Sequence, residues 1–171
     1  MILTVTCNPA VDVTYLVDAI VPGDVHRVRE VRQLPGGKGV NAARVLHEIG
    51  EDVVALGLAD AGFGRSVEAL GVAADFLDVL PSVRRTEVVQ HGATTTSLWE
   101  PGWPVAECAA ESLTDLVGGA DALVVSGACR PASILVSRLG SPPSPPRLEC
   151  LRCSISTTSR LHVLSPRAAA C

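Results

Sequence analysis

The sequence predicts a layered α/β domain: a parallel sheet flanked by helices, with a small β element standing off it. Two observations carry this. Apolar β-branched runs suited to buried strands alternate with segments of helical period along the first 127 residues. Extra strand-like runs, near 13–34 and 84–99, fall outside that alternation. Bulk composition agrees. The chain has 171 residues, 47% hydrophobic and 19% charged, which suits a globular domain with a proper core. Only 3% is aromatic, so that core must rest on Val, Leu, Ile and Ala.

Taken in order, "ILTVT" (2–6) reads as a buried strand, "CNPAVD" (7–12) as a turn and "VTYLV" (13–17) as a second strand. "VPGD" (21–24) is a turn signal. "VHRVREVRQL" (25–34) fits neither period cleanly. From Gly39 the period is helical, with Ala42, Val45, Leu46 and Ile49 as the expected inner stripe and Gly50 as the stop. "DVVALG" (52–57) reads as a strand and "GRSVEALG" (64–71) as a short helix. "TEVVQ" and "TTTSLW" flank "HGA" (91–93) as a hairpin. Pro104 opens a helix running to Val117, and "DALVVSG" (121–127) is a buried strand.

Charge divides the chain. Residues 1–128 carry a net −9 and residues 129–171 a net +5, within an overall −4. The later segment also holds four of the six cysteines and half of the prolines. The acidic balance argues against general nucleic-acid binding. No apolar run approaches a membrane span, and the start lacks a basic leader, so the expectation is a cytoplasmic protein without membrane partners.

"PGGKGVNAARVLHEIG" (35–50) is the most informative stretch. Gly36, Gly37 and Gly39 allow close backbone approach and positive φ at a helix start, where unpaired amides and the dipole favour an anion. Lys38, the only lysine of the chain, adds a mobile positive charge there. The plain alternative is a loop that lets strand meet helix. The spacing is neither a Walker A loop nor a dinucleotide fingerprint. Asn41 can donate and accept toward a polyol, or it is an ordinary helix-start Asn. Asp12, at the end of the "NPAV" run, can take hydrogen bonds from two sugar hydroxyls, or it caps its own turn.

Together, "TCNPAVDVTY" (6–15), "GDVHRV" (23–28), "PGGKGVNAARVLHEIG" (35–50), "VALG" (54–57), "RRTEV" (84–88), "EPG" (100–102) and "LVVSG" (123–127) resemble the phosphofructokinase-B, or ribokinase-like, sugar-kinase family. The nearest branch is that of 1-phosphofructokinase and tagatose-6-phosphate kinase. The resemblance spans about the first two-fifths of a usual member. It implies a ribokinase-like Rossmann-type α/β sandwich, truncated, with a small β-sheet lid built from strands near 13–33 and 86–98. It implies that Asp12 binds sugar hydroxyls, that Gly36, Gly37 and Asn41 line the same pocket, and that Lys38 and Arg85 meet the phosphate already on the substrate. Arg85 has a plain alternative as a solvated strand-start arginine, and Arg27 is a weaker candidate.

The implied reaction is ATP-dependent phosphorylation, with Mg²⁺, of fructose 1-phosphate to fructose 1,6-bisphosphate, in a protein whose lids pair into a homodimer. The alternative is a non-catalytic fragment that keeps only part of the sugar-phosphate site. Three residues depart from the pattern: Asp60 where Gly is usual, Glu87 where Asn is usual, and Trp99 where Asn is usual.

The family's late catalytic-base motif has no counterpart here, so no catalytic base and no metal ligand are expected. Residues 1–128 then form the N-terminal part of a sugar-kinase domain. Residues 129–171, rich in Ser, Pro, Arg and Cys, read as an irregular, out-of-frame tail with strand character only at 134–136 and 161–164. Cys150 and Cys153 form a C-x-x-C without two further suitably spaced ligands, so neither zinc nor redox chemistry is expected.

Overall fold

A computed structural model describes residues 1–104, 113, 116 and 120–126, together with the backbone of 150–151 and 161–164. The elements in chain order are β1 (Ile2–Thr6), β2 (Ala10–Val17), β3 (Glu30–Gly36), α1 (Lys38–Glu48), β4 (Val53–Ala59), α2 (Phe63–Glu68), β5 (Ala73–Asp78), β6 (Arg84–His91), β7 (Thr94–Trp99), β8 (Ala122–Ser126), β9 (Cys150–Leu151) and β10 (Leu161–Leu164). No helix among the described residues is long and apolar enough to cross a membrane.

Two sheets form. The larger has the order β5-β4-β1-β8-β10-β9. Its first four strands are parallel, with β1 central between β4 and β8. Side chains alternate across β1. Leu3, Val5 and Cys7 enter one core with Leu56, Leu58, Leu123, Val125 and Leu113. On the other face, Val40 and Ala43 of α1 and Phe63 and Val67 of α2 pack with Val53, Ala55 and Ala59 of β4. The sheet is thus covered on both faces, as a parallel sheet requires.

The helix of Lys38–Glu48 forms as expected but turns a different stripe inward. Its buried residues are Gly39, Val40 and Ala43, while Val45 and Ile49 are 58% and 68% exposed. The physical reason is distance. A Cβ at Gly39 would lie 2.6 Å from the Val5 carbonyl oxygen, so α1 approaches β1 through Gly39 and rotates Val45 and Ile49 outward, while Leu46 of the expected stripe still packs on the core.

Three other expectations change. β2 begins at Ala10, so Asp12 is its third residue and stands inside a strand, not after one. β5, which the sequence pattern did not signal, adds a parallel edge strand beyond β4. The sheet does not stop at β8: β10 pairs antiparallel with it, and β9 with β10. The strand character at 161–164 is therefore realised. Of the expected Pro104–Val117 helix, residues 105–117 lie outside the described residues apart from Leu113 and Leu116, which pack on the first core, and the 134–136 run lies outside them entirely.

The smaller sheet has the order β3-β2-β6-β7. β2 runs parallel to β6 and antiparallel to β3, and β6 and β7 form the expected hairpin with a two-residue loop at Gly92 and Ala93. The ambiguous 25–34 stretch resolves into a loop followed by β3. β3 passes into α1 through one residue, Gly37, whose φ of 110° and ψ of 149° lie where L side chains rarely go. Asp60 secures the other junction. Its Oδ1 accepts from the amides of Gly62 (3.0 Å) and Phe63 (3.1 Å) at the start of α2, and its Oδ2 from the Val83 amide (2.8 Å) just before β6.

Candidate functional site

Strand register decides what faces Asp12. Ala10 pairs with Gly36 on one side and Arg84 on the other, and Asp12 pairs with Leu34 and Thr86. Residues directly opposite in neighbouring strands project to the same face. Asp12, Gly36, Arg84 and Thr86 therefore share one face of the small sheet. Arg85 pairs with Val11 and projects to the other.

Asp12 is half-buried against the glycine turn. A Cβ at Gly36 would overlap its carboxylate, so glycine there is a condition of the aspartate's position. Burial pushes the Asp12 carboxyl above its ordinary value of 3.8, while the Arg84 guanidinium, the Thr86 hydroxyl and the Arg44 guanidinium pull it down less strongly. The carboxylate is thus partly desolvated and open to hydrogen-bond donors.

Arg84 is held in place by several groups. Its Nε donates to Asn8 Oδ1 at 3.1 Å, and its Nη1 to Thr86 Oγ1 and to the Glu100 carbonyl oxygen, each at 3.3 Å. Arg85 is occupied on the opposite face. Its Nη2 donates to the Tyr15 hydroxyl at 3.2 Å, its Nε lies 3.3 Å from Glu87, and its amide donates to Glu100 Oε2 at 2.7 Å. Of the sequence-derived candidates, the structure brings Asp12 and Gly36 together and sets Arg85 apart from them. Arg84, one residue earlier, is the arginine that shares the face of Asp12. Only the register separates the two.

α1 completes the site. Lys38 is its first residue and is exposed, and no side chain caps Gly37. The first bond of the helix runs from the Asn41 amide to the Gly37 carbonyl oxygen at 2.9 Å. The amides before it face out of the helix start, where the dipole favours negative charge. Lys38, Asn41 and Arg44 recur at a spacing of three along one side of α1. Arg44, missed in the sequence, acts on Asp12 by its charge. Its three-residue step from Asn41 was the available signal. The assembled features suit a polyol bearing an anionic group: a carboxylate for hydroxyls, a fixed guanidinium and an uncapped helix start for a phosphate.

Residues 5–141 match the model of the pfkB family of carbohydrate kinases. The chain belongs to that family. Solved structures share its fold. Phosphofructokinase-2 from Escherichia coli, in complex with fructose-6-phosphate, superposes with a TM-score of 0.71 at 22% identity, over 80% of this chain and 50% of that one. A candidate phosphofructokinase from Staphylococcus aureus gives 0.68 at 21% identity, over 81% and 50%. A candidate 1-phosphofructokinase from Thermotoga maritima gives 0.67 at 24% identity, over 77% and 46%. This pfkB chain therefore spans about half the length of the structures it matches, and the likeness establishes the ribokinase-like α/β fold.

Among the described residues no cluster of three or more His, Cys, Asp or Glu side chains could hold a metal ion. The described residues thus do not fit a Mg²⁺ site.

Proposed function

We propose that the face around Asp12 is the acceptor site of a sugar-phosphate kinase, and that its substrate is fructose 1-phosphate, phosphorylated to fructose 1,6-bisphosphate with ATP as donor. The observation that carries this reading is the half-buried Asp12 carboxylate pressed on Gly36, with Arg84 fixed beside it. In this reading Asp12 accepts hydrogen bonds from sugar hydroxyls. Gly36 and Gly37 bring backbone close to the ligand, and Asn41 bonds a further hydroxyl. Lys38 and Arg84 take the phosphate, with Arg84 in the role that the sequence resemblance gave to Arg85. Holding the acceptor in one orientation is the part of phosphoryl transfer these residues supply.

Fructose 6-phosphate is the second reading, because one structural neighbour is solved with that ligand. The small sheet serves as a lid in either case, and pairing of two chains through it accounts for its exposed Leu98 and Val31. Calorimetric titration of the 171-residue chain with fructose 1-phosphate, fructose 6-phosphate and inorganic phosphate tests the assignment. Arg84→Ala and Asp12→Ala are each expected to weaken the preferred sugar phosphate about tenfold or more, and Arg85→Ala to change it little. Unchanged affinity in Arg84→Ala would remove Arg84 from the site, and weakening by Arg85→Ala in its place would return the role to Arg85.

A further inference from the structure

The row of residues that contains Asp12 runs across all four strands of the small sheet. Leu34 pairs with Asp12, Asp12 with Thr86, and Thr86 with Trp99. All four project to the same face. The order is apolar, polar, polar, apolar. Leu34 is 43% exposed and Trp99 is 73% exposed, so neither outer residue is spent on the core. Trp99 is also joined to Arg84 through the chain: the next residue, Glu100, offers the carbonyl oxygen that Arg84 Nη1 bonds at 3.3 Å.

With strands about 4.8 Å apart, two steps separate the backbones of Asp12 and Trp99 by about 10 Å. Thr86 and the Arg84 guanidinium bonded to it lie between them, so a sugar ring would sit over these two groups with Asp12 on one side and Trp99 on the other. A sugar has two kinds of surface. Its hydroxyl edge needs acceptors and donors, and the C–H groups on its ring face are apolar and pack well on an aromatic plane. Ligand sites commonly combine an apolar wall with a few placed polar groups, and an indole supplies a large rigid wall at little entropic cost.

We propose that Trp99 is a specificity-determining residue of this site, its indole stacking on the C–H face of a sugar ring whose hydroxyls and phosphate are held by Asp12 and Arg84. This rests on the acceptor-site reading above. It adds that the site recognises the ring itself as well as the phosphate.

The test compares fructose 1-phosphate with inorganic phosphate, which shares the anion and lacks the ring. Trp99→Ala is expected to weaken fructose 1-phosphate about tenfold and to leave inorganic phosphate within about twofold. Trp99→Phe should restore most of the sugar-phosphate affinity. The chain has two tryptophans, so in a Trp103→Phe background the emission of Trp99 should shift with fructose 1-phosphate and stay unchanged with phosphate. Equal weakening of both ligands, or of neither, overturns the proposal and leaves the acceptor site standing. A change in sedimentation of Trp99→Ala with unchanged ligand affinities also overturns it, by assigning Trp99 to contact between chains. If the unsubstituted chain binds neither ligand, the acceptor-site reading fails and this inference falls with it.

Discussion

The Asp12 carboxylate occupies the space that a side chain at Gly36 would need. Because Gly36 ends β3 and Asp12 lies inside β2, this contact ties the small sheet to the entry of α1. Gly36→Ala must therefore push the aspartate aside. The carboxylate is the far end of a short side chain and can rotate, so the cost is moderate, about 1–3 kcal/mol. A thermal melt should fall accordingly, and binding of fructose 1-phosphate should weaken by more than the loss of stability explains. Unchanged binding would show that the Asp12 rotamer is immaterial to the ligand.

Asp12 is held against its own solvation, and that gives a pH signature. Its carboxyl titrates above 3.8 in the folded chain, with burial as the main cause. The folded state then binds its proton more readily than the unfolded state. The penalty is absent below 3.8, where both states are protonated, and complete above the folded value. Asp12→Asn should therefore raise the urea midpoint at neutral pH, and the gain should shrink to nothing as pH falls below 3.8. A gain independent of pH would assign the effect to packing. The same substitution should weaken sugar-phosphate binding, a trade of stability for function.

Thr6 sits under the glycine turn. A Cβ at Gly37 would lie 2.7 Å from its γ-methyl, and one at Gly39 would meet its hydroxyl. The side chain is 1% exposed, and its hydroxyl has no partner among the described atoms. Valine keeps the shape and removes the buried hydroxyl. Thr6→Val should therefore raise stability by about 1 kcal/mol with the turn undisturbed. Thr6→Ala should lower it by opening a gap beneath both glycines, and should speed hydrogen exchange at the Asn41 amide, the first bonded amide of α1. Loss of stability in the valine variant would mean that the hydroxyl is satisfied in solution.

Much of the fold was legible because it depends on local pattern. β1 matches its apolar run from Ile2 to Thr6, and the β6–β7 hairpin follows its turn signal. What the sequence hid depends on geometry between elements. The inner stripe of α1 is made of Gly39, Val40 and Ala43, and a count of large apolar residues overlooks two of them. β5 is a parallel edge strand with Asp75 and Asp78 within it, and acidic residues mask its alternation. In the site, Asp12 and Gly36 were visible as motif residues. Which of Arg84 and Arg85 shares the face of Asp12 follows from the β2–β6 register, which nothing local specifies.

Asp60 shows how an apparent irregularity in the sequence serves the site. It binds three backbone amides, two at the start of α2 and that of Val83, the residue before Arg84. Removing it would loosen the turn into α2 and release the entry to β6 together. Asp60→Ala should cost about 2–3 kcal/mol, because the amides of Gly62, Phe63 and Val83 lose their carboxylate acceptor. Asp60→Asn keeps one carbonyl oxygen and should recover the bonds to Gly62 and Phe63 without fully restoring the Val83 contact. If Asp60 also sets the approach of Arg84, phosphate affinity in the asparagine variant should fall more than its melting temperature implies. Parallel changes in both would limit Asp60 to a structural role, and an unaffected melting temperature in the alanine variant would remove even that.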